Sequence, residues 1–205
     1  AKDENDYTPL YMAVRYGKAD VARVLAEVGA DTEAKDEDGR TPLHIAVHKR
    51  SGDMAKLMVD AGADTEAKNQ DGCTPLFVAV ILGLAKMARV LVDAGADKEA
   101  KDENDYTPLY MAVRYGKADV ARVLAEVGAD TEAKDEDGRT PLHIAVHKRS
   151  GDMAKLMVDA GADTEAKNQD GCTPLFVAVI LGLAKMARVL VDAGADKEAK
   201  DENDY

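Results

Sequence analysis

His44 and His48 stand four residues apart in "HIAVH", a spacing that brings two imidazoles onto one helical face within reach of a single metal ion. The same five residues recur at His143 and His147. No Glu follows the first His as it does in a metalloprotease helix, and no third ligand is identifiable, so no metal is assigned. The acidic run "AKDEDG" at 34–39 has the composition of a calcium loop. With Gly39 set at that loop's turn glycine, Ala34 takes the first ligand position and Ile45 the last, and neither side chain carries an oxygen. Cys73 and Cys172 are the remaining chemically distinctive residues. A nucleophilic thiol needs an oriented base, and Cys73 has only Gln70, Asp71 and Thr74 near it in sequence. No catalytic residue, metal or cofactor is predicted, and the chain is not read as an enzyme.

Charge narrows the partners further. The chain carries 27 basic and 39 acidic residues, a net charge of −12, and its field repels phosphate backbones and anionic lipid. Neither nucleic acid nor membrane is therefore an expected partner. No apolar run approaches the roughly 20 residues needed to cross a bilayer, and the N-terminus lacks a basic-then-apolar signal pattern. Two cysteines in 205 residues do not make a disulfide scaffold, which favours a cytoplasmic setting.

The elements that position these residues follow from a repeat. All six prolines fall in Thr-Pro-Leu, at Pro9, Pro42, Pro75, Pro108, Pro141 and Pro174, each 33 residues after the last. Residues 1–99 also return letter for letter as 100–198, so a block of three dissimilar 33-mers is present twice. Within one 33-mer, Thr8 is placed to cap a helix, Pro9 suits its first position, and Leu10, Ala13 and Val14 share a face. Gly17 ends this short helix. A second helix follows, with Val21, Val24, Leu25 and Val28 on one stripe and Gly29 at its left-handed end. The charged run from Ala30 to Arg40 contains Asp-Gly and is expected to form a projecting hairpin or loop. Two short helices bury too little to offset the entropy of ordering them, so stacking between neighbours is required. At about 8–10 Å per helix layer, Cys73 and Cys172, three repeats apart, lie far beyond the roughly 7 Å limit for a disulfide.

The 33-residue period, "TPLHIAV", a mid-repeat glycine and "GAD" before the charged run resemble the ankyrin repeat, across essentially the whole chain. The resemblance implies an all-α repeat solenoid: stacked helix-turn-helix pairs joined by β-hairpin or loop connections. The repeats are placed at about 1–33, 34–66, 67–99, 100–132, 133–165 and 166–198, with a partial linker at 199–205, as a single array. It also places His44 at the structural Thr-Pro-Leu-His position, a bland alternative to a ligand. Several residues depart from the pattern. Tyr11 and Phe77 stand where His44 stands, removing the imidazole that ties neighbouring backbone together in this family. Asp6 replaces a turn glycine, Arg50 takes the place of Gly17 and Gly83, and Glu33, Glu66 and Glu99 replace a customary Asn.

By the same resemblance, a protein partner is bound through the concave groove and hairpin tips. The implied contact positions are Glu4, Asn5, Tyr7, Arg15 and Tyr16 in the first repeat, then Glu37, Asp38, Arg40, His48 and Lys49 in the second. The third contributes Gln70, Asp71, Cys73, Ile81 and Leu82. From these the expected binding set is Tyr7, Arg15, Tyr16, Arg40, His48, Lys49, Ile81 and Leu82. Its copies in the second block are Tyr106, Arg114, Tyr115, Arg139, His147, Lys148, Ile180 and Leu181. Tyr and Arg are common interface anchors, and Ile81 with Leu82 places apolar side chains where a helix should meet water. The other reading is that Ile81, Leu82 and Leu84 fold against Tyr115 or the Lys49 stem of a neighbouring repeat.

Neither end carries a polar capping repeat: the first repeat has the apolar stripe of the fourth, the sixth that of the third. The absent initiator Met and the mid-linker termini lead us to expect a fragment or an engineered tandem. Since the third repeat is expected to pack on the fourth, the sixth of one molecule should accept the first of another, head to tail. The expected function is a noncatalytic protein-interaction scaffold. The alternative is a structural segment of a long periodic array, a fibre, spring or spacer that self-associates end to end.

Overall fold

A computed structural model describes residues 7–198. Glu4, Asn5 and Asp6 lie outside the described residues, as does the closing run 199–205. Two compact units are present, Ala1–Lys98 and Glu99–Tyr205. The first holds α1 (Pro9–Arg15), α2 (Ala19–Glu27), α3 (Pro42–His48), α4 (Gly52–Asp60), α5 (Pro75–Ile81) and α6 (Ala85–Asp93). The second holds α7 (Pro108–Arg114), α8 (Ala118–Glu126), α9 (Pro141–His147), α10 (Gly151–Asp159), α11 (Pro174–Ile180) and α12 (Ala184–Asp192). Each unit is therefore a stack of three helix pairs, one pair per 33-mer.

Local sequence dictates each helix's ends. Thr8 is extended at φ −80°, its Oγ1 accepts the Tyr11 amide at 3.2 Å, and Pro9 occupies the first helical position where no N–H partner is needed. At the other end Gly17, at φ +66°, closes a Schellman turn: Lys18 N–H donates to Ala13 O at 2.8 Å and Gly17 N–H to Val14 O at 3.0 Å. Arg50 closes the same turn in the second repeat at φ +56°, with Arg50 N–H on Val47 O and Ser51 N–H on Ala46 O. A side chain with a Cβ is thus held in the left-handed region that glycine adopts without cost.

Seven- and nine-residue helices are well below the roughly 12–15 residues at which an isolated helix becomes marginal, so packing must hold them. Within the first unit α1 packs on α2 and α3, and α3 on α5, burying Leu10, Val14, Leu43, Val47 and Leu76 almost completely. Each such side chain contributes about 1.5–3 kcal/mol. The second-helix stripe is covered differently from the sequence expectation. Met54 and Met87 are 3% and 5% exposed because α2 lies against α4 and α4 against α6, yet Val21 at the same repeat position is 53% exposed. Val24 and Val28 are likewise exposed, and Ala22 alone in α2 is fully buried. In the second unit Val113 and Val146 are buried with α9 and α11 stacked beside them, while Val179, at their position, is 66% exposed. A repeat's flanking faces are completed by neighbours and by nothing within the repeat.

Of the two forms left open for the connections, they are loops: no strand occurs among the described residues. Asp36 builds the turn, its Oδ1 accepting from Asp38 N–H at 3.0 Å and Arg40 N–H at 2.8 Å. Asn69 and Asp102 do the same one and two repeats on. Gly39 leaves no room for a side chain, since a Cβ there would meet Gln70 N at 2.9 Å. Successive loops are stitched by Gln70 N–H to Asp38 O at 2.9 Å, by Lys35 Nζ to Lys68 O, and by Asp64 N–H to Glu33 Oε1 at 3.0 Å. Glu66, Glu99, Glu132 and Glu165 repeat that last bond, so the substituted glutamates supply their own side-chain to backbone tie.

The expected loss of the histidine tie at Tyr11 is also made good. Its hydroxyl donates to Asp36 Oδ2 of the next loop at 2.5 Å, and Tyr110 donates to Asp135 in the same way. Burial alone would raise the Asp36 pKa, but hydrogen bonds from Tyr11 and from the Arg40 amide and guanidinium outweigh it and hold it below the ordinary carboxylate value. Tyr11→Phe or Tyr110→Phe removes one donor from a buried carboxylate and is expected to cost about 1–3 kcal/mol. Urea denaturation checks this; an unchanged midpoint would mean that the arginine alone satisfies the acid.

Candidate functional site

The loops and the C-terminal ends of the first helices carry the residues selected from the sequence. In the first unit Tyr7 stacks on Tyr11 with centroids 4.9 Å apart, and the Arg15 guanidinium lies 5.4 Å from the Tyr7 centroid. In the second, Tyr106 and Tyr110 stack at 4.6 Å, Arg114 lies 5.0 Å from the Tyr106 centroid, and its Nη1 donates to the Tyr106 hydroxyl at 3.4 Å. Each unit thus holds its own Arg-Tyr-Tyr layer, in which two selected residues, Tyr7 with Arg15 or Tyr106 with Arg114, are ordered together with Tyr11 or Tyr110.

Arg40 and Arg139 have a second task that sequence reasoning missed. Arg40 bridges Asp36 at 2.8 Å and Asp38 at 2.6 Å, and Arg139 bridges Asp135 and Asp137 at 2.9 and 2.6 Å, so each clamps its loop. The signal was present as Asp-x-Asp-Gly-Arg, two acids placed to receive one bidentate guanidinium.

The two histidines of "HIAVH" part company. His44 is fully buried: its Nδ1 accepts from the Thr41 amide at 3.2 Å and lies 2.9 Å from the Thr41 hydroxyl, while Nε2 lies 3.0 Å from Cys73 O of the next repeat. With Nδ1 accepting, Nε2–H donates to that carbonyl, and neither nitrogen has a lone pair to give a metal. His143 repeats the arrangement with Thr140 and Cys172. His48 and His147 are exposed. Among the described residues no group of three His, Cys, Asp or Glu is placed to hold a metal ion.

The remaining selected residues face outward to different degrees. Tyr16, Tyr115, Ile81 and Ile180 are 64, 50, 40 and 66% exposed, Lys49 and Lys148 are exposed, and Leu82 and Leu181 are half-buried. In the second unit several converge on a cavity of about 310 Å³ lined by Asp137, Arg139, His147, Asn168, Gln169, Asp170, Cys172, Val177 and Ile180. Arg139, His147 and Ile180 were selected directly, and four others are copies of implied contact positions. Asn168 and Val177 were not foreseen. Asn168 earns its place as the loop organiser, its Oδ1 accepting from Asp170 N–H and Cys172 N–H, and Val177 is the buried floor. Cys172, the copy of the implied contact position Cys73, is buried. An apolar floor with convergent polar groups suits a side chain inserted from a partner.

Comparison with known families decides the lineage. The model for ankyrin repeats in three copies matches residues 1–69, 53–135 and 127–201. The chain belongs to the ankyrin repeat family. It is similar to the ankyrin repeat domain of Bcl-3, described as a unique member of the IkappaB protein family, with a TM-score of 0.91 and 31% identity over 98% of this chain and 92% of that one. It also shares the fold of the human ASB11 ankyrin repeat domain, with a TM-score of 0.75 and 24% identity over 97% and 89% of the two chains. No curated protein matches the sequence. Ankyrin repeats form a protein-interaction fold, and no helix among the described residues is long and apolar enough to cross a membrane.

Burial holds the pKa of His44 and His143 below the ordinary imidazole value of 6.5. The unfolded chain therefore binds protons that the folded chain refuses, so this stability is complete above pH 6.5 and is lost as pH falls below it. The melting temperature should drop between about pH 7.5 and pH 5.5. In His44→Gln/His143→Gln that drop should be shallower, on a lower baseline; an unchanged slope would clear the buried pair of responsibility.

Proposed function

We propose that this ankyrin repeat chain is a noncatalytic scaffold that takes a protein partner in the groove between its loop turns and the C-terminal ends of its first helices. The observation that carries the reading is the cavity at Arg139, His147 and Ile180, where contact positions from two successive repeats meet around an apolar floor. Exposed Tyr115 and Ile180 supply anchors of the type that dominates protein interfaces. Because residues 1–99 and 100–198 are identical, the chain carries the set twice, which suits a partner with a repeated motif. A photo-crosslinking residue at position 115 or 180 should capture one distinct protein, and the same residue at exposed Arg122 should not. Equal capture from all three positions would sink the reading.

A second reading is favoured by the exposed Val21, Val24 and Val28 on one flanking face and by Val179 and Ile180 on another. Faces of this kind are covered by a neighbouring repeat inside each unit, and a repeat of a second copy would cover them equally well. Sedimentation across a range of concentrations should show growing head-to-tail assemblies, reduced in Val21→Ser/Val179→Ser. A mass independent of concentration would remove this alternative.

A further inference from the structure

None of the residues of the loop-and-helix face lines the recess between the starts of α4 and α6. Its walls are Arg50, Gly52, Leu84, Ala85, Lys86, Met87 and Val90, and its volume is about 380 Å³. The second unit holds the same recess between α10 and α12, with Arg149, Lys185 and Met186 in the matching places and a volume of about 410 Å³. Both volumes fall in the usual ligand-pocket range of about 300–1,000 Å³.

Glycine stands at the first position of α4, where the first and third repeats have Ala19 and Ala85. A Cβ added at Gly52 would meet nothing within 4 Å. The floor is apolar, with Met87 and Met186 buried at 5% and 4%. The rim is cationic. Arg50, Lys86, Arg149 and Lys185 are exposed, and none of them forms an ion pair among the described residues. The other grooves between second helices of the first unit differ: one sets Lys56 beside Asp60 and Asp93, the other sets Arg23 beside Glu27 and Asp60. In a chain of net charge −12, the lining of this recess holds two cations and no acid, although exposed Asp53 follows Gly52 in the first turn of α4. Arg50 also occupies a left-handed position that favours glycine, so its cation is kept there at a conformational cost.

We propose that each recess binds the aliphatic chain of a small carboxylate, with the tail over Met87 and Val90 and the carboxylate between Arg50 and Lys86, and likewise at Met186, Val189, Arg149 and Lys185. Apolar area supplies affinity, and the paired cations select the charge.

Submicellar decanoate titrated into protein with ¹³C-methyl methionine tests this. The Met87 and Met186 signals should shift saturably, with two equivalents bound, and decyltrimethylammonium should bind at least about tenfold more weakly. Gly52→Leu/Gly151→Leu fills the recess without a backbone clash and should abolish the shifts while circular dichroism is unchanged. Arg50→Gly/Lys86→Gln with Arg149→Gly/Lys185→Gln removes the rim and should erase the preference for decanoate over decanol, with a melting temperature no lower than the parent's. Equal binding of the ammonium amphiphile, binding retained in the filled variant, or no saturable shift would each overturn the proposal.

Discussion

Every feature of this protein rests on burial shared between successive repeats. Helices of seven and nine residues do not persist alone, and a single pair has no interior to hold them. The positions of Val21, Met54 and Met87 make the point within one unit: the same place in the repeat is open in one case and closed in two, according to whether a second helix lies against it. What stabilises a repeat is therefore mostly outside it.

Polar chemistry then fixes the register of that stacking. In each repeat the fourth residue of Thr-Pro-Leu-x faces the interface, and its side chain decides the bond. His44 gives a ring N–H to Cys73 O, while Tyr11 gives a hydroxyl to Asp36, and in both cases the acceptor belongs to the following loop. Phe77 has no group for either bond. The glutamate that follows "GAD-x" binds the next repeat's backbone amide wherever the described residues include both partners. Histidine and tyrosine thus answer one geometric requirement with different chemistry, a polar contact at depth from one repeat to the following loop, and the glutamates add an exposed tie at the surface.

The candidate site grows from the same framework. Its loops are rigid since Asp36, Asn69 and their copies receive two amides each, and its arginines are held by acids or by tyrosine rings. The places of the loop turns and helix ends were legible in the sequence because the family pattern fixes where they fall. The division of labour among their residues was legible only in part. The clamp of Arg40 on Asp36 and Asp38 is local and was written in "DEDGR", but nothing in the letters of "HIAVH" states that His44 is sealed while His48, one turn on, meets water. That outcome depends on which neighbour arrives across the repeat interface.

The sequence alone determined the 33-residue period, the helix starts at Thr-Pro-Leu, the glycine stops and the charged turns, because caps, prolines and left-handed residues act over a few bonds. It also determined that isolated pairs must stack, since the apolar stripes exceed what one pair buries. Only the tertiary structure decided that the connections are loops, that Tyr11 and Glu33 rebuild the missing ties, and that Gly52 leaves a cation-rimmed recess. These features join residues about 25 to 35 positions apart, and a distance of that kind is set by packing between repeats rather than by local bonding.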